Sequence, residues 1–262
     1  MRFEVGQGAD AGDILLMAAA TAIGIDYGID APLIARGWFG RAGWSLGIGL
    51  LFWFMNRQDY PGPAARVLGA LALVAAVCAA IGWCKIHSSR QSKLALREQL
   101  LDQLELKGDE KVLDVGCGRG LLAIGAAKRL KTGKVTGIDV WNPQDLSGNS
   151  PEAAKENAKA EGVSDRVRFD TGDARKLVYP DNFFDAVMSS NALHTLDDDR
   201  ERKQALKEML RVLKPGGRLV IFDTAETGYY AEVLRDCGAQ DMTLSPWTWL
   251  WCRPSRSLAA HK

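Results

Sequence analysis

The chain is predicted to be an α/β protein: a doubly wound sheet preceded by an α-helical transmembrane hairpin. Three observations carry that prediction. Charged residues are sparse from Ile14 to Cys84 and frequent from Arg97 onward, although the overall hydrophobic share of 47% is ordinary. Two uncharged or nearly uncharged runs, Trp38–Met55 and Val67–Cys84, are each 18 residues long. Beyond Ser88, short apolar segments alternate with amphipathic ones, the pattern of strands and helices taking turns along one sheet. The net charge of +1 argues against a polyanion-binding surface, so no nucleic acid is expected as a partner.

Residues 1–87 form the first unit. The run Ile14–Ile25 is short and stops at Asp26, which suits an interfacial or partly inserted helix. The second run carries one charge, Arg41; the third, Val67–Cys84, carries none. Eighteen helical residues span about 27 Å, close to the hydrocarbon thickness of a bilayer. Pro61, Gly62 and Pro63 mark a turn between the two runs. Trp38, Trp44, Trp53, Tyr60 and Trp83 lie towards the run ends, as at a membrane–water interface. A buried helix would need complete cover, and the region has too few other elements to sheath two such helices. A cleaved signal peptide fits poorly because the most apolar run starts at Val67. Lys85, Arg90, Lys93 and Arg97 follow with no acid before Glu98, which places the exit, and everything after it, on the cytoplasmic side. The expectation is an integral membrane protein whose C-terminal domain, residues 88–262, faces the cytoplasm. Its five cysteines form no CxxC pair and no Cys/His metal spacing, so no metal site is read here.

In that second unit, Ser92–Leu106 is an amphipathic helix and Lys107–Glu110 a turn. Strand Lys111–Val115 follows, then a glycine-rich turn, helix Leu121–Leu130 and strand Lys134–Asp139. Ser150 caps helix Pro151–Glu161, with proline at its first position. Strands Val167–Thr171 and Phe184–Ser189 lead to helix Arg200–Leu213, a Pro215-Gly216-Gly217 stop and strand Arg218–Asp223. Helix Tyr229–Cys237 ends at Gly238, and short strands at Asp241–Ser245 and Ser257–Ala260 close the order.

The chemistry-bearing stretch is LDVGCGRG. Asp114 ends a strand, and Gly116, Gly118 and Gly120 alternate before a helix, letting backbone turn tightly and a ligand approach closely. Such a turn alone is shared with dinucleotide-binding proteins. Two details separate them: the spacing is GxGxG rather than GxGxxG, and an acid precedes the turn. A carboxylate opposes a pyrophosphate but suits a ligand bearing an amino group and a sulfonium, which favours S-adenosylmethionine. About twenty residues on, Asp139 ends the next strand, where an acid accepts from both ribose hydroxyls. Val140 and Trp141 offer apolar surface to an adenine face, and Asp173 is placed to take the adenine amino group.

Together with DNFFDAVMSSNALH and LKEMLRVLKPGGRLVIFD, these residues resemble the class I S-adenosylmethionine-dependent methyltransferases, near their small-molecule and lipid-type members, over roughly Leu94–Lys262. The resemblance implies a Rossmann-like seven-stranded sheet, parallel but for one strand, with cofactor across its carboxyl edge. Carried over, Asp114, Gly116, Cys117 and Gly118 line the methionine side, Asp139 holds the ribose, Asp173 and Ala174 face adenine beside Val140, and Asn191 lies beneath the methyl group. His194 is the best-placed general base if the acceptor must lose a proton; the alternative is a loop histidine that only packs nearby. Asp185 reads as a structural strand-start residue, Tyr229 and Tyr230 as helix packing, and Asp197–Lys203 as a solvated helix start. Trp247, Trp249 and Trp251 are either core or a second membrane-facing surface. The function expected is methyl transfer to a lipophilic small-molecule or lipid acceptor at the cytoplasmic membrane face. Two alternatives stand beside it: a soluble small-molecule or protein acceptor with the anchor serving location only, and a non-catalytic cofactor-binding membrane module.

Overall fold

A computed structural model describes residues 25–30, 32–87, 92–224, 226–250 and 253–262. The expected interfacial helix Ile14–Ile25 lies outside these residues except for Ile25, as does Trp251. Helices α1 (Pro32–Asn56) and α2 (Pro61–His87) come first, both longer than the runs that foretold them. Pro61 and Pro63 do not interrupt: α2 starts at Pro61, where a missing N–H costs nothing. Then follow α3 (Lys93–Gln103), β1 (Lys111–Val115), α4 (Leu121–Arg129), β2 (Lys134–Asp139), α5 (Pro151–Ala160), β3 (Val167–Thr171) and β4 (Phe184–Ser190). The last elements are α6 (Asp199–Val212), β5 (Leu213–Thr224), α7 (Thr227–Asp236), β6 (Gln240–Leu244), β7 (Thr248–Leu250) and β8 (Arg253–His261).

The strand order is β3-β2-β1-β4-β5-β8-β6, with β7 also pairing β8. Strands β1 to β5 pair in parallel, and β8 runs antiparallel to β5, β6 and β7. The expected seven strands are therefore present with one reversed, and β7 is an eighth. Side-chain alternation buries both faces. Val112, Met188, Val220 and Phe222 meet Leu100, Leu101 and Ile124 on one side; Leu113, Val187, Leu219 and Ile221 meet Leu206, Met209 and Tyr230 on the other. Pro215-Gly216-Gly217 is not a break before β5 but an irregularity inside it, with a register shift between Phe184 and Ala186. Asp185 accepts from the Lys111 backbone N–H at 2.8 Å and pairs with Lys214, which bears out its structural reading.

Helices α1 and α2 pack antiparallel through small residues. A Cβ on Gly49 would touch Leu68 and Leu71, and one on Gly82 would meet the Phe39 ring at 2.9 Å. Ala35, Gly49, Ala64, Ala75, Cys78 and Gly82 are buried, while Leu46, Ile48, Leu50, Leu51, Phe52, Leu73, Val74 and Val77 are exposed. The seam is thus lined by small residues and the outer surface of the pair is apolar. Among the described helices, α2 alone is both long and apolar enough to cross a bilayer, with mean hydropathy 2.4 over a window only 17% buried. Arg41 and the glycines and tryptophans of α1 hold it below that mark.

Candidate active site

The carboxyl edge of β1, β2 and β4 opens into a cavity of about 310 Å³. The chain's turn after β1 builds its floor. Gly116 has φ +73° and its missing Cβ would lie 2.2 Å from Ala192, so no side chain fits there. Gly118, at φ +51°, donates its N–H to Asp139 Oδ2 at 2.8 Å. Asp139 Oδ1 accepts from Trp141 N–H at 2.6 Å and Asn149 Nδ2 at 3.1 Å. One carboxylate thus ties the glycine turn to the loop after β2.

Asp114, Gly116, Cys117, Gly118, Asp139, Val140, Asp173, Ala174 and Asn191 all line this cavity, so the fold gathers every cofactor residue expected from sequence. Their chemistry differs in three respects. Asp114 is buried beneath the turn, accepts from Ala123 N–H at 2.9 Å, and is pushed up to about 8 by burial, the Asp139 charge adding to it. Burial likewise raises the Cys117 thiol well above its usual range, keeping it neutral. Asp173 is bidentate to Arg175, which lowers its carboxyl pKa, and Arg175 pairs in turn with Glu201 of α6. Trp141 does not join Val140 in the lining; its Nε1 donates to Thr171 Oγ1 at 2.9 Å and the ring packs towards the core. Asn191 has φ +52°, which asparagine tolerates, and donates its N–H to Phe222 O. Its buried Oδ1 has no partner, nor has that of Asn149. Two unpaired acceptors facing one cavity fit a ligand that brings donors.

His194 sits in a 3₁₀ turn (Leu193–Thr195) at the cavity rim, between the lining residues Ala192 and Thr195 but not itself in the lining. Behind it is Asp223, fully buried at the end of β5. His194 Nδ1 lies 2.7 Å from Asp223 Oδ1, without in-line hydrogen-bond geometry, and its backbone N–H donates to Oδ2 at 3.0 Å. Thr224 N–H donates to Oδ1 at 2.7 Å and the Tyr230 hydroxyl to Oδ2 at 3.3 Å. Asp223 was legible only as a strand end; its carboxylate holds the histidine. Tyr230 is core, and the Tyr229 hydroxyl donates to Asp199 O on α6.

Residues 25–30, which sequence places in the helical region, run as a strap along the cavity, with Tyr27 and Asp30 in its lining. Asp26 N–H donates to Asn157 Oδ1 and Asn157 Nδ2 donates back to Asp26 O. Ile29 and Ser147 exchange hydrogen bonds, and the Tyr27 hydroxyl donates to Glu161. Lys93 is the latch: its buried ammonium donates to Tyr27 O at 3.0 Å, Gly28 O at 2.8 Å and Asp30 Oδ2 at 3.3 Å. Burial lowers its pKa, opposed by Asp30. Lys93 and Arg97, read from sequence as surface cations at the membrane exit, are therefore interior. Tyr27, Asp30 and Lys93 line the cavity, and Asp30 lies two residues before α1.

Residues 112–217 match the family described as "Methyltransferase domain". The chain is 40% identical over 139 residues to "Methyltransferase GfsG" of Streptomyces halstedii, covering 53% of this chain and 46% of that one. It is 37% identical over 131 residues to a "Demethylmenaquinone methyltransferase" of Lactiplantibacillus plantarum, covering 50% and 52%. The chain thus spans about half the length of the curated relatives it matches. Among solved structures it resembles "the [4+2]-Cyclase SpnF", with TM-score 0.54 and 24% identity over 66% of this chain and 83% of that one, a likeness of fold.

Proposed function

Residues 112–217 are a class I S-adenosylmethionine-dependent methyltransferase domain, and on that premise we propose that the chain methylates a lipophilic acceptor at the cytoplasmic face of a membrane. The observation that carries the reading is the shared rim. Asp30 and Lys93, which pair at the cavity, are also the residues from which the apolar helical hairpin departs and to which it returns. An acceptor dissolved in the bilayer around that hairpin reaches the cavity mouth without crossing water. Relatives named for demethylmenaquinone point the same way, towards a lipophilic quinone. A relative named "27-O-demethylrifamycin SV methyltransferase", 37% identical over 131 residues, supports a second reading in which the acceptor is a soluble natural product and the helices serve location only.

When bound, S-adenosylmethionine supplies a methyl group on a sulfonium, already a strong electrophile. The chain has then to hold that group, align an acceptor and exclude water. Asp139 would accept from the ribose hydroxyls, Val140 and Ala174 would pack against the adenine, and the Gly116–Gly118 turn would admit the methionine portion. Asn191 Oδ1, unpaired and buried, would accept from the cofactor's amino group. His194 receives the acceptor's proton at Nε2, while Asp223, which accepts the His194 backbone N–H and lies 2.7 Å from Nδ1, positions the residue.

Asp114 makes the binding pH-dependent. Its carboxyl, near 8 in the ligand-free site, drops when a cation binds beside it, so the bound form carries fewer protons. Affinity is expected to rise with pH up to about 8 and level off above it, with a proton released on binding. Calorimetry in buffers of different ionisation enthalpy measures this; Asp114→Asn should flatten the dependence, and an equally steep rise in that variant would contradict the assignment. The function itself is tested by methyl-labelled cofactor on membranes carrying the full chain: label is expected in the lipid extract.

A further inference from the structure

We propose that Trp247 and Trp249 of the β7–β8 ribbon form a second bilayer contact, which seats the carboxyl edge of the sheet in the headgroup layer of an anionic membrane. The proposal rests on the membrane reading above and extends it to a part of the chain that the helical hairpin does not include. Trp249 is 74% exposed and Trp247 49% exposed, far more than such large rings usually are. Neither lines the cavity.

The register places them. Ser255 of β8 pairs Thr224, the last residue of β5, on one side and Thr248 on the other. Trp249↔Pro254 and Leu250↔Arg253 then continue past the end of β5. The ribbon therefore overhangs the carboxyl edge by about two residues, roughly 7 Å. That edge is where Asp139, Asn191 and Asp223 stand and where the strap leads into α1.

The chemistry of the tip repeats that of the hairpin ends. The Arg256 guanidinium lies 4.2 Å from the Trp247 ring centroid, held there by its Nε–H donation to Thr227 Oγ1 at 2.8 Å. On α1, Arg41 lies 4.9 Å from the Trp38 ring, and Arg57 lies 5.4 Å from Trp53 and 4.5 Å from Phe54. Trp38 and Trp53 are 15 residues apart, about 22 Å of helix, so those pairs bracket an apolar span. An arginine stacked on an exposed tryptophan presents an amphipathic ring to the acyl boundary and a cation to anionic headgroups. A second protein copy is the poorer occupant. Trp247 and Trp249, with Leu244 at the end of β6, are the exposed large hydrophobics of this part of the sheet among the described residues, and three side chains fall well short of the ~800 Å² per partner of a standard interface.

The test uses the full chain in vesicles of phosphatidylcholine and phosphatidylglycerol whose acyl chains are brominated near the headgroup. The chain has eight tryptophans. If the tip enters the interface, the emission lost to bromine should be smaller in Trp247→Phe/Trp249→Phe than in wild type, by roughly a quarter of the tryptophan signal, two of eight. Phenylalanine keeps ring packing, and continued quenching of the helix tryptophans reports that the variant is folded and inserted. Equal loss in wild type and variant, with the helix tryptophans quenched, overturns the tip contact alone. Absence of quenching in either protein overturns the membrane reading as well. Shielding of the two rings that grows with protein density in the vesicle, rather than with bromine, assigns them to a second copy and overturns the proposal.

Discussion

Replacing Asp139 with alanine is expected to weaken S-adenosylmethionine binding by about 100-fold or more. Under the proposed ribose role, two charge-assisted hydrogen bonds would be lost, each worth roughly 1.5–3 kcal/mol. The carboxylate also anchors Gly118, Trp141 and Asn149, so the glycine turn and the loop after β2 lose their common tie. Asp139→Asn separates the two effects. The amide oxygen still accepts from one backbone N–H, and the turn should survive, yet binding should remain weakened by about tenfold because the charge is gone. Titration calorimetry reads both, and a thermal melt checks that each variant folds. Affinity within twofold of wild type in Asp139→Ala would remove the residue from the ribose site.

Changes at His194 and Asp223 should act on turnover instead. His194→Ala is expected to lower kcat by about 10²-fold or more, the usual contribution of a positioned base, with cofactor affinity nearly unchanged. Asp223→Asn should lower it comparably, because its carboxylate sits 2.7 Å from Nδ1 and receives the His194 backbone N–H. The double variant should be scarcely worse than either single one, as expected for residues acting as a unit. Wild-type turnover in His194→Ala would make the histidine a packing residue. A change in Asp223→Asn confined to stability would do the same for the pair.

Much of the α/β unit was legible because two periodicities are written directly into it. Strand ends carry an acid or asparagine at the same edge, Asp114, Asp139, Asn191 and Asp223, and the helices between them show capping residues such as Ser150 and Asp198. Burial was not legible. Lys93 and Arg97 look like a positive exit cluster, but both are buried: Lys93 is held by strap residues distant in sequence, and Arg97 bonds its neighbour Glu98. The strap itself, IDYGID, has no periodicity; its bonds reach Lys93, Ser147, Asn157 and Glu161, up to 134 residues away. Composition likewise could not separate the exposed Trp249 from a core residue, nor tell that burial keeps Asp114 largely protonated near neutral pH until a cation arrives.

The measurement that bears most directly on the central claim is the fate of a labelled methyl group. Alkaline-washed membranes carrying the full chain, incubated with methyl-labelled S-adenosylmethionine, should place label in the organic phase of a lipid extract. Membranes carrying Asp139→Ala should place none there. Label confined to the aqueous phase would contradict the lipophilic acceptor, and a chain removed by the wash would contradict the anchor on which that acceptor was argued.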